Sequence, residues 1–136
     1  LLPASLSTGA GLRHGFALVL GIAGGLTWLW CLEAFSRHGG TPLAVDAPRD
    51  LVTVGPFAHV RNPIMTGELA VIWAETIAFA SLGLVLYAAA ISALAHWLVV
   101  HVEEPELRAR FGERYPSYAD AVPRWLPRLR GRRASQ

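Results

Sequence analysis

Long apolar runs dominate the pattern of this chain, and polar segments lie between and after them. The runs cover about residues 15–35, 64–80 and 84–102. Each is close to the roughly 20 residues that an α-helix needs to cross the hydrocarbon core of a bilayer. The sequence therefore predicts an all-α fold, a polytopic membrane helical bundle with about three transmembrane helices and a short cytoplasmic helical segment at the C-terminus. We expect residues 1–136 to form a single domain.

Composition supports the membrane interpretation. The chain is 53% hydrophobic and only 16% charged, whereas soluble domains carry roughly 25% charged residues. The second run could instead be a buried helix of a soluble bundle, but three such runs leave little polar surface to cover them. Residues 1–12 are predicted to be a loop or an interfacial stretch. The chain begins at Leu1 rather than Met, which is consistent with N-terminal truncation.

The basic residues indicate an orientation. All twelve are arginines, and most of them follow the third run, whereas the turn near residues 81–83 is uncharged. By the positive-inside bias, the C-terminal tail and the 36–62 loop are expected in the cytoplasm. The tail could serve only this topology or could also bind anionic lipid headgroups. A net charge of +2 without a folded basic module argues against nucleic acid as a partner.

The second and third runs are predicted to form an antiparallel hairpin that brings two polar clusters together. Arg61 precedes Leu82 by 21 residues, and Glu103 follows Leu82 by the same number. Two helices with equal rise would place Arg61 and Asn62 level with Glu103 and Glu104. A cation and two carboxylates at one end of an apolar hairpin suit a small zwitterionic or charged ligand.

The start of the second helix adds to this expectation. Asn62 is a typical N-cap residue, and Pro63 suits the first helical turn. The free N–H groups there favour an anion, and the guanidinium of Arg61 offers a fork of donors for a carboxylate. The alternative is that Arg61 only marks the membrane boundary, with its charged end reaching to the interface.

The acid pair also has two interpretations. Glu103 and Glu104 oppose the helix dipole at the end of the third run. Pro105 could start a new helix that runs to Phe111 and stops at Gly112, which would place the acids in a favourable first turn. In the functional interpretation, the carboxylates face a cation at the cytoplasmic mouth of the hairpin.

Other polar residues within the runs carry weaker signals. Glu68 and Glu75 share a helix face, and with His96 they could form a buried structural pair or a proton path in a transporter fragment. His96 and His101 are five residues apart and do not share a face, and Cys31 is the only cysteine, so we predict no metal site. Small residues at positions 17, 21 and 25 suit close helix packing in lipid.

Two signatures resemble those of the isoprenylcysteine carboxyl methyltransferase and phospholipid methyltransferase family, over about residues 40–128. The first comprises Gly40-Thr41-Pro42, Leu51-Val52, Gly55-Pro56-Phe57, Val60-Arg61-Asn62-Pro63 and Gly67. The second comprises Glu103-Glu104-Pro105 with Leu107, Phe111-Gly112 with Tyr115 and Tyr118, and Val122-Pro123-Arg124-Trp125-Leu126-Pro127.

The resemblance implies an integral-membrane enzyme that uses S-adenosylmethionine, held at the cytoplasmic end of the last helices. The catalytic residues would be Glu103, Glu104 and Arg61. The family's cofactor contacts would fall on Arg49, Asp50, Leu51, Val52, Phe57, Arg61, Asn62, Pro63 and Ile64. The partners would be the lipid bilayer and a lipophilic acceptor, in a bacterial inner membrane.

Two positions depart from the family pattern. Met65 stands where a tyrosine is usual, and Val99 stands where the eukaryotic isoprenylcysteine enzymes have an arginine. Carboxyl O-methylation of an isoprenylcysteine-like acceptor is the first expectation for the reaction, and N-methylation of a phospholipid amine is the second. A third possibility is a non-catalytic membrane subunit or a transporter fragment.

Overall fold

The computed structural model describes residues 4–37 and 51–128, with side chains of the first helix from residue 9 onward. Every regular element in this part of the chain is helical, which confirms the predicted all-α class. The α-helices are α1 (Ala4–Arg37), α2 (Pro63–Phe79), α3 (Leu82–Leu98), α4 (Glu104–Phe111) and α5 (Arg114–Ala121). A 3₁₀ turn covers Gly55–Ala58, and a π-helical turn covers Val99–Glu103.

Two helical segments are long and apolar enough to cross a membrane. They are Gly9–Arg37 and Leu82–Phe111, the second of which runs through α3, the π turn and α4. Helix α2 has 17 residues, which corresponds to about 26 Å and is shorter than a hydrocarbon core of about 30 Å. The structure therefore supports two candidate spans, and a third span remains a prediction.

Helix α1 begins earlier than the sequence predicts. Of the two predictions for residues 1–12, the loop is wrong for residues 4–12, which already belong to this 34-residue helix. The interfacial stretch stays a prediction. No proline follows Pro3 until Pro42, so nothing in the backbone interrupts the helical hydrogen bonds. The serines and glycines near the start have low helix propensity, but they do not interrupt the helix.

Helices α1 and α2 cross at two glycines. A Cβ on Gly24 would lie 2.6 Å from the carbonyl oxygen of Gly67, and a Cβ on Gly67 would lie 2.8 Å from that of Gly24. Gly21 approaches Ala74 in the same interface, whereas a Cβ on Gly25 would meet nothing within 4 Å. The predicted small-residue face was therefore right at Ala17, which is buried, and at Gly21, and wrong at Gly25, because the interface continues from Gly21 to Gly24, three residues further along.

The turn between α2 and α3 lies close to its predicted position. Helix α2 ends at Phe79, and α3 begins at Leu82. Ala80 adopts a left-handed conformation, with a φ of 50°, and its N–H donates to the carbonyl of Thr76. The two helices are thus antiparallel neighbours, although α2 makes most of its helix contacts with α1.

The π turn before α4 has a cause in the sequence. Pro105 has no N–H to donate to the carbonyl four residues earlier, and its ring collides with that carbonyl in a regular α-helix. The carbonyl belongs to His101, in the middle of the π turn Val99–Glu103. The helix therefore widens instead of breaking. The predicted end at Phe111 is confirmed, with Gly112 at a φ of 59° in the stop position.

The last described residues fold back over the start of α2. Two small apolar cores hold this end of the molecule together. One contains Cys31, Ala34, Val52 and Phe57, and the other contains Tyr115, Tyr118 and Val122. Both lie at the end where α1 finishes, α2 begins and α4 leaves the long helix.

Candidate functional site

A buried ion pair joins the two polar clusters that the sequence singled out. The Nη1 of Arg61, just before α2, donates to Oε1 of Glu104 at 3.0 Å. The Glu104 residue is only 3% exposed. The predicted meeting of Arg61 with the acid pair is thus found in the structure. Glu104 accepts this contact, whereas Glu103 lies half-buried beside it.

A second guanidinium completes the cluster. Arg124 donates from Nε to Oε1 of Glu104 at 2.8 Å and from Nη2 to Oε2 at 3.2 Å. The hydrogen bond to Glu104 raises the pKa of Arg124. We call Arg61, Glu104 and Arg124 the ion-pair centre. Two cations share one carboxylate, so the centre has an excess positive charge that can attract a further anion.

One donor of the centre remains unused within the described protein. The Nε of Arg61 is buried and has no hydrogen-bond partner there. A buried guanidinium N–H without a partner is costly. The first N–H groups of α2, which begins at Pro63, likewise have no acceptors within their own helix. These donors fit a bound carboxylate.

Asn62 occupies the N-cap position of α2, as expected, but its side chain does not cap the helix. Its Nδ2 donates instead to the backbone carbonyl of Arg124 at 3.1 Å. The prediction of a side-chain cap is therefore wrong. The side-chain amide instead binds the C-terminal segment that packs beside it. The carbonyl of Arg124 is removed from water there, and the amide replaces the hydrogen bond that water would have donated.

Residues 122–128, which we call the C-terminal strap, lie along residues 57–66. The N–H of Arg61 donates to the carbonyl of Pro123 at 2.9 Å, and the N–H of Arg128 donates to that of His59 at 3.1 Å. The hydroxyl of Thr66 donates to the carbonyl of Trp125 at 3.3 Å. These bonds fix Arg124 over the start of α2.

Two buried tyrosines of α5 support the same segment. The hydroxyl of Tyr118 donates to the carbonyl of Phe57 at 2.6 Å. Burial raises the pKa of Tyr118 and, to a lesser degree, that of Tyr115. Both tyrosines therefore stay neutral, and Tyr118 acts as a structural donor between α5 and the 3₁₀ turn.

The other predicted cofactor residues lie around the centre in different settings. Arg49 and Asp50 fall outside the described residues. Val52 and Phe57 are buried in the apolar core at the end of α1, where the ring of Phe57 meets Phe35 edge to face at 5.3 Å. Of the remaining predicted cofactor residues, Pro63 is buried and Ile64 packs on the core that contains Phe57. Leu51 packs on the other core, which contains Tyr115 and Tyr118.

A cavity of about 260 Å³ opens between α1, the start of α2 and the C-terminal strap. The ring of His59 lies in its wall, 6.0 Å from the ring of Trp30. Apolar and polar residues both contribute to its wall. Its lining includes Thr27, Trp30, His59, Thr66, Pro127 and Arg128.

The residues proposed for a proton path do not converge. Glu68 and Glu75 lie on the exposed face of α2. His96 accepts instead, at Nδ1, a hydrogen bond of 3.0 Å from the indole N–H of Trp125. Across residues 4–37 and 51–128, no three His, Cys, Asp or Glu side chains come together in a way that could hold a metal ion.

Sequence reasoning missed three residues of this region as site members: His59, Tyr118 and Arg124. Tyr118 and Arg124 belong to the second signature, so their positions were marked but their roles were not. Arg124 could have been suspected, because a single arginine between Pro123 and Trp125 is unlike the clustered arginines of the tail. His59 had no signal beyond its closeness to Arg61.

In residues 4–37 and 51–128 the fold is all-helical, with two helical segments long and apolar enough to cross a membrane and a buried ion-pair centre at one end of the helices. The family model for phospholipid methyltransferase matches residues 12–114. The chain belongs to this family, and it is therefore a membrane methyltransferase. Comparison with curated proteins gives no significant match, and comparison with solved structures gives none either.

Proposed function

We propose that this protein transfers a methyl group from S-adenosylmethionine to a lipophilic acceptor at the membrane surface. The observation that carries the proposal is the ion-pair centre, which gathers two guanidinium groups and one carboxylate beside the start of α2. It supplies an excess positive charge and a free buried donor in a chain whose family consists of membrane methyltransferases.

The donor set fits the amino-acid part of the cofactor. The Nε of Arg61 and the N–H groups at the start of α2 would hold its carboxylate. Glu104 cannot do the same for a cation, because Arg61 and Arg124 already occupy it. Its role is to hold Arg61 in place. Glu103, which is half-buried, remains available for the ammonium or sulfonium charge.

The remaining contacts would come from the segment before α2. In this proposal, residues 61–64 carry the polar contacts, and Phe57, Val52 and Leu51 form an apolar floor near the adenosine part. Arg49 and Asp50 continue this segment. The buried packing of Phe57 makes it a rigid support, because its ring is already fixed against Phe35.

In the proposed methyl transfer, the main task of the protein is to position the two reactants. When bound, S-adenosylmethionine supplies a methyl group that its sulfonium charge has already activated. The chain's own residues hold the two reactants in line and exclude water, which can contribute a large part of the rate. Neither a metal ion nor a covalent nucleophile is needed for this proposal.

Two acceptor classes follow from the sequence. The first is the carboxylate of an isoprenylcysteine-like thioether, which would give an ester. The second is a phospholipid amine, which would give a methylated amine. One structural observation favours the second class: a histidine in the wall of the cavity beside the centre, since an amine must lose a proton and a carboxylate need not.

The proposed topology places the site in the cytoplasm of a bacterial cell, at the inner membrane. Arg61, Arg108 and the arginines of the strap all lie at the end where the centre is located. By the positive-inside bias, this end faces the cytoplasm. In this arrangement α2 is a third, short span, which local thinning of the bilayer can accommodate at modest cost.

Binding of S-adenosylhomocysteine to detergent-solubilised protein tests the proposal. Isothermal titration should show saturable binding to the wild type, weakened at least tenfold in Arg61→Lys and in Glu103→Gln. Lysine keeps the charge of Arg61 but lacks the Nε donor. Asp120→Asn, on the exposed side of α5, is the matched control and should bind normally.

The outcomes separate the three functions. No saturable binding by the folded wild type would instead support a non-catalytic subunit or transporter fragment. If binding is found, transfer of a labelled methyl group to extracted lipids or to prenylated cysteine identifies the acceptor class. An ester product releases its label in base, whereas a methylated amine does not.

A further inference from the structure

His59 is held so that one ring nitrogen is occupied and the other has no partner among the described residues. Its Nδ1 lies 2.6 Å from the backbone carbonyl of Arg128. A carbonyl only accepts hydrogen bonds, so the hydrogen must be on Nδ1. In the neutral ring the lone pair is then on Nε2, which makes this nitrogen a base.

The ring orientation is fixed from two sides. The backbone N–H of Arg128 donates to the carbonyl of His59, so the strap contacts both the backbone and the ring of this residue. Trp30 packs against the ring at 6.0 Å with a tilt of 44°. The strap and Trp30 therefore fix both the tautomer of His59 and the orientation of its ring.

The cavity beside His59 is suited to the reacting end of a lipid-like molecule. Thr27 and Trp30 precede the end of α1 at Arg37 by seven to ten residues, which places them about 10–15 Å from that end. Tryptophan is typical of the membrane interface at this depth. The cavity also shares two walls with the ion-pair centre, namely residues 59–66 and the C-terminal strap.

We propose that the cavity holds the nucleophile of the methyl acceptor and that Nε2 of His59 accepts its proton, an inference that rests on the proposed methyltransferase function. The lone pair of the acceptor nitrogen forms a bond to the methyl carbon of a sulfonium donor. The carbon–sulfur bond breaks, and its electron pair stays on sulfur. The nitrogen's proton passes to Nε2 and then to water.

The surroundings of His59 are compatible with this role. From α1 it faces Thr27 and Trp30, and from α2 it faces Thr66, none of which is charged at neutral pH. The strap contributes Arg128, the one charged residue named in the described lining. No carboxylate is present there to retain the proton, so the imidazole can release it to water.

One substitution separates this role from a structural one. His59→Asn keeps an N–H near the position of Nδ1 and so retains a donor to the Arg128 carbonyl, but it removes the base. With dioleoylphosphatidylethanolamine in mixed micelles, His59→Asn should lower kcat at least 100-fold. Its affinity for S-adenosylhomocysteine should stay within twofold of the wild type.

A second readout does not depend on activity. Diethyl pyrocarbonate modifies a neutral imidazole at an accessible nitrogen, and peptide mass spectrometry locates the product. Wild-type His59 should be modified, and dodecyltrimethylammonium, a non-reacting analogue of a lipid amine, should slow this at least fivefold. His101, which is exposed on the π turn, is the internal control and should not be protected.

The possible failures can be distinguished. Absence of S-adenosylhomocysteine binding by the wild type would overturn the proposed function, and this inference with it. Normal binding together with an unchanged kcat in His59→Asn would overturn the role of His59 alone. Lack of protection by dodecyltrimethylammonium, or a reaction confined to a prenylated carboxylate with no effect of His59→Asn, would overturn the placement of an amine in this cavity.

Discussion

Arg61 and Glu104 lie 43 residues apart in the chain, and their side chains meet at 3.0 Å in a buried ion pair. The contact joins the start of α2 to the helix that follows the π turn. Arg124 reaches the same carboxylate from the C-terminal strap. A single acid thus ties three separate segments together at the proposed site.

Removing this acid should destabilise the fold. Glu104→Gln would leave two guanidinium groups without their shared counterion, one of them largely buried. We expect a loss of about 3 kcal/mol, at the lower end for broken buried pairs because Arg124 is partly exposed. Denaturant unfolding in detergent micelles measures the change. Glu106→Gln should unfold like the wild type, and equal stability of the two variants would contradict the central role of Glu104.

The crossing of α1 and α2 should not tolerate a methyl group. Gly67→Ala would place a Cβ 2.8 Å from the carbonyl oxygen of Gly24, and Gly24→Ala would create an even closer contact. Because backbone atoms are involved, the helices must separate. We expect a loss of about 1–3 kcal/mol for either variant. Thermal unfolding in detergent measures this loss.

Gly25→Ala is the matched control for the helix crossing, since its Cβ would meet nothing within 4 Å. It should be neutral or slightly stabilising, because alanine favours the helix more than glycine does. Stabilities of Gly67→Ala and Gly25→Ala that do not differ would show that the two helices do not pack as described.

The hydroxyl of Tyr118 should contribute to stability through one hydrogen bond. Tyr118→Phe removes the donor at 2.6 Å from the carbonyl of Phe57 and leaves that carbonyl without this partner. The expected cost is about 1–3 kcal/mol. Tyr87→Phe, on the exposed face of α3, removes a hydroxyl without such a bond and should cost little. Comparison of their unfolding free energies provides the measurement.

The same tyrosines predict a decline in stability at alkaline pH. Burial raises the pKa of Tyr118 and of Tyr115 in the folded state, whereas tyrosine in an unfolded chain ionises near about pH 10. The unfolded state therefore loses protons first as pH rises. The stability from these groups is complete below about pH 10 and is lost progressively above it. Melting temperatures should stay level with respect to these groups from about pH 8 to about pH 10 and fall above it, less steeply in Tyr118→Phe.

The apolar pattern by itself predicted the three long helices and the end of the hairpin at which Arg61 meets the acid pair. Runs of about 20 apolar residues specify membrane helices, because a backbone in lipid must satisfy its hydrogen bonds internally. Equal spacing about the turn then predicted that Arg61 and the acid pair would lie level. The prolines also predicted helix boundaries. Pro63 and Pro105 each lack an N–H and constrain the local backbone whatever the tertiary structure, and both lie in the first turn of a helix.

Tertiary structure decided which residues of the two polar clusters form the buried ion pair. Spacing could not tell Glu103 from Glu104, because the π turn changes the direction in which each side chain points. It also could not show that Arg124 returns to share Glu104, or that Asn62 holds the strap instead of capping its helix. These contacts depend on how the last residues fold back onto residues 57–66. Long-range packing, and not local preference, sets that arrangement, because each buried polar group there needs a partner from a distant segment.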